Sequence, residues 1–173
     1  LAEGFTIQQG LQKLAILKPI AGRMTCLTAD KKPLVVVDYA HTPDALQQAL
    51  VALKKHCAGK LSVVFGCGGD RDSDKRHQMG LIAVAEADVV IVTTDNPRFE
   101  VSEMIINDIC SELDSQSYQI IADRAAAIKY SIEQSQYGDI VLIAGKGHEN
   151  YQDINGIKQP FSDIDSVKEL LAA

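Results

Sequence analysis

The chain has 173 residues, 46% of them hydrophobic and 23% charged, with a formal net charge of −6. That length fits one domain of about 100–200 residues with short appendages, and the composition excludes a disordered, collagen-like or solenoid chain. Asp and Glu number 23 against 17 Lys and Arg, so most of the surface repels a phosphate backbone and nucleic acid is not expected as a partner.

The chain opens at Leu1-Ala2-Glu3 without a methionine and enters directly on helical spacing, with Ile7, Leu11, Leu14 and Ile16 or Leu17 on one side, an opening expected of a fragment. Pro19 and Gly22 end that helix and put a boundary near Gly22. Residues 23–28 then read as a strand that turns back through Asp30-Lys31-Lys32-Pro33. From Leu34 onward short apolar runs alternate with helical ones, with strands expected at 34–38, 61–65, 89–93, 118–122 and 140–144. This alternation predicts an α/β fold, a Rossmann-like open and mostly parallel sheet with helices on both faces.

Thr42-Pro43-Asp44 is a strong helix start. Thr can cap, Pro suits the first helical position, and Asp complements the positive end of the dipole. That helix should run to about Cys57, with His56 at its end; further helices start near Ser102, Asp123 and Asp163. Asn155-Gly156 reads as the turn of a small hairpin ending at Pro160-Phe161. No apolar run approaches the ~20 residues that span a bilayer, and no secretory signal opens the chain. Cys26, Cys57, Cys67 and Cys110 are scattered without a CxxC pair or zinc-ligand spacing, so they read as reduced thiols of a cytoplasmic protein with no metal site.

In an open parallel sheet, ligands collect outside the carboxyl ends of the strands. Four segments fall on that rim: Asp38-Tyr39-Ala40-His41-Thr42-Pro43, Gly66-Cys67-Gly68-Gly69-Asp70-Arg71-Asp72, Thr94-Asp95-Asn96-Pro97-Arg98 and Gly145-Lys146-Gly147-His148-Glu149. The Gly66 loop fails the dinucleotide fingerprint because Arg71 stands where a Gly is required, and Gly145-Lys146-Gly147 fails as a phosphate loop. The Gly66 loop is then either a tight turn alone or a functional loop, which its charges Asp70, Arg71, Asp72, Asp74, Lys75 and Arg76 favour. Arg98, rigidified by Pro97, suits a planar carboxylate, although a solvated surface turn fits the same residues. Arg71, Arg98 and Glu149 together could hold a zwitterion, with guanidinium for its carboxylate and Glu149 for its ammonium. His41 is either a structural loop histidine or a contact for phosphate or ribose, and Asp38 could accept ribose hydroxyls.

Taken in order, these four segments, the last extended through Tyr151-Gln152, resemble the C-terminal domain of the Mur ligases, and among them the branch that adds diaminopimelate. The resemblance runs from Arg23 to the end, making 23–173 an amino-acid-binding domain, while 1–22 resemble the end of the family's central ATP-binding domain and its linker. It implies an ATP-dependent ligase of peptidoglycan precursor synthesis. Such an enzyme joins meso-2,6-diaminopimelate to a UDP-N-acetylmuramoyl dipeptide through an acyl phosphate, with ATP and Mg2+ held mainly by the central domain. Carried over by residue, Arg71, Asn96 and Arg98 would bind the distal carboxylate of diaminopimelate, and Gly145 (through its carbonyl) and Glu149 the ammonium beside it. Asp95 would orient and Pro97 rigidify that loop, while Arg23, Asp38, His41 and Lys75 would face the nucleotide. The resemblance assigns no bond-making residue to this chain, which is not expected to turn over alone. A lysine-adding relative and a non-catalytic amino-acid-binding module remain as alternatives.

Overall fold

The computed structural model describes residue 6 and residues 21–173. The opening helix expected ahead of Pro19 lies, Thr6 aside, outside the described residues. The rest forms a six-stranded sheet of β1 (Thr25–Leu27), β2 (Leu34–Asp38), β3 (Leu61–Phe65), β4 (Val89–Val92), β5 (Gln119–Ile120) and β6 (Ile140–Ala144), with a separate hairpin of β7 (Tyr151–Ile154) and β8 (Ile157–Pro160). Five helices complete it: α1 (Pro43–Lys54), α2 (Asp74–Glu86), α3 (Ser102–Cys110), α4 (Arg124–Glu133) and α5 (Asp163–Ala172).

The strand order is β1-β2-β6-β3-β4-β5, antiparallel only between β1 and β2. From β2 to β5 the chain advances in one direction across the sheet, skipping the slot that β6 later fills. Right-handed crossovers therefore put α1, α2 and α3 on one face, and the return from β5 to β6 puts α4 on the other. The side chains follow the period of two. Val36, Val63, Phe65 and Leu142 pack with Leu46, Leu50, Met79 and Ile109 on one face, whereas Val35, Val64, Ile91 and Ile143 pack with Ala127, Ile128, Ile132 and Val167 on the other. Central strands buried on both faces favour near-continuous apolar runs, and β3 and β6 are buried at every position, with Ser62 of β3 the one polar residue.

The expected strands and helix starts are present with local adjustments. The Thr42 hydroxyl accepts from Ala45 N at 3.3 Å and Pro43 opens α1, which ends at Lys54 instead of continuing to Cys57. β1 is shorter than 23–28 because Met24 takes a positive φ of 46° and breaks the extension. β5 keeps two residues of the five expected, both exposed at the sheet edge, where a single neighbour supports them. Among the described residues no helix is long and apolar enough to cross a membrane, and the four cysteines are free.

Candidate functional site

β3 and β6 lie side by side, yet the chain leaves β3 toward α2 on one face and leaves β6 toward the hairpin and α5 on the other. Diverging connections open a crevice outside the carboxyl ends of such a strand pair. A cavity of about 260 Å³ lies there, lined by residues of all four rim segments: Tyr39 and His41, Gly66 to Gly68 with Arg71 and Lys75, Asp95, Asn96 and Arg98, and Gly145 with Glu149.

The loops after β3 and β4 are built against each other. A Cβ on Gly69 would sit 2.0 Å from the Pro97 carbonyl oxygen, so only glycine permits the approach that lets Gly69 N donate to Asn96 O at 2.9 Å. The Arg98 Nη1 donates to Gly69 O across the same contact. Arg98 itself has φ +51°, a left-handed conformation that a non-glycine residue keeps only when its surroundings over-determine it. Here the hairpin does so. Arg98 N donates to Asp153 O at 2.9 Å, and Arg98 O accepts from Asn155 N at 2.7 Å. Gln152 Nε2 donates to Asp95 O at 2.9 Å, and Asp153 N to Asn96 Oδ1 at 3.0 Å. The hairpin thus straps the Asp95 to Arg98 loop and fixes where the Arg98 guanidinium projects.

The six charges of the Gly66 loop separate by role. Arg71 and Lys75 line the cavity, whereas Arg76 is buried, donating from Nη1 to Asp108 at 2.8 Å and from Nη2 to Glu100 at 2.9 Å. Glu100 also accepts from Asp70 N, so Arg76 pins the loop that presents Arg71. Asn96 is buried, and its amide donates to Glu149 Oε2 at 2.8 Å. The same Oε2 accepts from Lys146 Nζ at 3.2 Å. Lys146 is fully buried, a role that the failed phosphate-loop pattern of Gly145-Lys146-Gly147 does not reveal. The signal that could have found it is its spacing of three from Glu149. Burial pushes the Asp95 carboxyl above the usual carboxylate range, while the charges of Arg124 and Lys146 pull it back. Cys67 lines the cavity as an inert thiol, its pKa pushed up to about 12 by burial first and by Asp95 second.

His41 lines the cavity with its Nδ1 2.8 Å from Tyr39 O and its ring 4.5 Å from that of Tyr39. Arg23 lies over the Tyr39 ring, its guanidinium carbon 4.8 Å from the ring centroid, and is outside the cavity lining. Asp38 and Pro97 also stay out of the lining: Asp38 Oδ2 accepts from Met24 N at 2.7 Å, and Pro97 is buried. Tyr39, like Lys146, carried no expected role. Gly22 packs directly on the β6 loop: a Cβ there would lie 2.1 Å from His148 N, and its φ is +71°. Among the described residues no group of three or more His, Cys, Asp or Glu side chains is arranged to hold a metal ion.

The family profile described as "Mur ligase, glutamate ligase domain" matches residues 22–147, which include all four rim segments up to Gly147. The chain belongs to the Mur ligase family. Among curated proteins it is 52% identical over 172 residues to the UDP-N-acetylmuramoyl-L-alanyl-D-glutamate--2,6-diaminopimelate ligase of Neisseria meningitidis serogroup A. It is 48% identical over 172 residues to the ligase of the same name from Chromobacterium violaceum. Each match takes in 98% of this chain and 35% of the relative, so the chain spans about a third of the length of these Mur ligases. A solved structure of a ligase of that name superposes with a TM-score of 0.83 at 47% identity, covering 99% of this chain and 35% of that one. A Yersinia pestis folylpolyglutamate synthase/dihydrofolate synthase, at 22% identity and TM-score 0.62 over 80% of this chain and 30% of its own, shares the fold.

Proposed function

We propose that residues 23–173 are the amino-acid-binding domain of an ATP-dependent ligase that adds meso-2,6-diaminopimelate to UDP-N-acetylmuramoyl-L-alanyl-D-glutamate, and that 1–22 are the end of its central domain. The observation that carries this reading is one cavity lined by Arg71, Arg98 and Glu149, complementary in sign to the carboxylate and ammonium of an amino-acid end. The names of the Neisseria and Chromobacterium relatives support the substrate.

In this reading ATP phosphorylates the D-glutamyl side-chain carboxylate and ADP departs. The proximal amine of diaminopimelate then attacks the acyl carbon, sheds a proton, and phosphate leaves. Mg2+ and the ATP phosphates are assigned to the preceding domain, as the family resemblance implies, and no step here runs through the metal. This domain binds and orients. Arg98 spends one N–H on Gly69 O and keeps the rest of its donors, with Arg71, for the distal carboxylate. Asn96, assigned with these two to the distal carboxylate, also fixes Glu149 through its amide, and Glu149 with the Gly145 carbonyl receives the distal ammonium. Orientation of this kind supplies up to ~7–11 kcal/mol in well-placed systems. His41 and Lys75 line the cavity on the side of the α1 and α2 starts and are assigned to the nucleotide, with Arg23 and Asp38 shaping that side. A UDP-linked precursor implies a cytoplasmic enzyme.

Lysine lacks the distal carboxylate and would leave two guanidiniums without their partner, which sites of this type reject strongly. Ligation assays of the full-length enzyme with meso-diaminopimelate and with lysine test the reading. Turnover confined to diaminopimelate supports it; equal or preferred use of lysine overturns the specificity, and binding without ligation of either amino acid favours the non-catalytic module.

A further inference from the structure

Beneath the cavity runs a row of charged side chains that alternate in sign. Asp163, at the start of α5, accepts from Arg124 Nε at 2.8 Å and Nη2 at 2.9 Å, and both side chains are fully buried. Arg124, at the start of α4, also donates from Nη2 to Ala144 O at 2.9 Å, which ties the pair to the end of β6. Asp95 comes next, and Arg124 exerts the strongest attraction upon it. Lys146 Nζ lies 3.6 Å from Asp95 Oδ1, 2.9 Å from Asn96 Oδ1 and 3.2 Å from Glu149 Oε2. Glu149 ends the row. Its side chain is 22% exposed where Lys146 and Arg124 are 0% exposed, and among the five charges only Asp95 and Glu149 line the cavity.

Buried charges are tolerated when each is paired, and a network of this kind holds its members in one arrangement. Lys146 occupies the position where three acceptors from two loops converge. Its ammonium and the Asn96 amide grip the same oxygen of Glu149, so the other carboxylate oxygen takes no hydrogen bond among the described residues. Two donors on one oxygen, with the covalent tether of the side chain, narrow the directions in which the other oxygen can point. The next group the alternation calls for is a cation in the cavity.

Building on the ligase reading above, we infer that Lys146 is a positioning residue that sets the substrate's distal ammonium apart from its absence, by fixing Glu149 through Oε2 so that the ammonium becomes the next charge in the row Asp163, Arg124, Asp95, Lys146, Glu149. Lys146 touches no substrate in this account. It acts through Glu149 and Asn96, and its removal costs recognition of the ammonium more than it costs turnover.

The test compares the full-length enzyme with two amino acids, meso-diaminopimelate and 2-aminopimelate, the same diacid without the distal amine. The readout is the ratio of their kcat/KM values in the wild type, in Glu149→Gln and in Lys146→Met. Glu149→Gln should remove most of the wild-type preference, and Lys146→Met should lower it by about tenfold or more, chiefly through KM for diaminopimelate, since sites built around a substrate donor discriminate steeply. A merely structural lysine would depress both substrates alike and leave the ratio unchanged. If Glu149→Gln lowers the ratio and Lys146→Met does not, the inference fails while the ligase reading stands. An unchanged ratio in Glu149→Gln overturns the placement of the ammonium, and the inference with it. Lys146→Leu, which likewise removes the donor and the charge, is read in the same way should the methionine variant fail to fold.

Discussion

Replacing Gly69 by alanine tests how the site is assembled. The added Cβ would stand 2.0 Å from Pro97 O and 2.8 Å from Pro97 C, both backbone atoms that cannot rotate away. The loops after β3 and β4 must part by roughly an ångström to restore an ordinary contact distance. Parting breaks the Gly69 N to Asn96 O bond and the charged bond from Arg98 to Gly69 O. The first contributes about 1 kcal/mol and the second about 1.5–3 kcal/mol, so Gly69→Ala should destabilise the domain by roughly 2.5–4 kcal/mol. For a chain of this size that lowers Tm by roughly 5–15 °C. Calorimetric melting of the variant beside the wild type measures it, with KM for diaminopimelate as the companion readout, because Arg98 moves with the loop. A Tm within about 1 °C of the wild type would refute the contact argument.

Arg124 and Asp163 are both fully buried, so Arg124→Met leaves an unpaired carboxylate and should cost roughly 3–5 kcal/mol by denaturant unfolding. The double variant Arg124→Met with Asp163→Leu should recover much of that; equal loss in single and double variants would contradict the pairing argument. Cys67, its pKa about 12 through burial, should resist an exposed-thiol reagent at pH 8 in the native protein while the exposed Cys26 reacts. Prompt modification of Cys67 before unfolding would show that the cavity wall opens.

The strands were legible because central parallel strands are mostly apolar: 140–144 is so throughout, 34–38 except for Asp38, and 61–65 except for Ser62. Helix starts carried by side-chain chemistry, Thr42 with Pro43 and Asp123, were legible locally, and the last helix begins at Asp163 as expected, with Ser162 as the cap that the sequence reading did not single out. The slot of β6 between β2 and β3 was not, since strand order is decided by which apolar faces meet and not by any local pattern. Nor could composition tell the cations apart. Arg71 and Lys75 line the cavity while Arg76, one residue on, is buried against Glu100 and Asp108. The difference lies in partners 24 and 32 residues away. Lys146 stayed hidden for the same reason: its partners on the β4 loop are 50 residues distant, and a lysine between two glycines reads locally as a mobile surface turn. The rim segments themselves were legible as a set, because polar and glycine-rich stretches after successive strands must share one edge of the sheet.

The most direct test of the central claim is the KM for meso-diaminopimelate in full-length Arg98→Ala. Loss of a charged hydrogen bond of about 1.5–3 kcal/mol corresponds to a rise of roughly 10–100-fold, with KM for the UDP-linked dipeptide unchanged. A KM for diaminopimelate equal to that of the wild type would contradict the account.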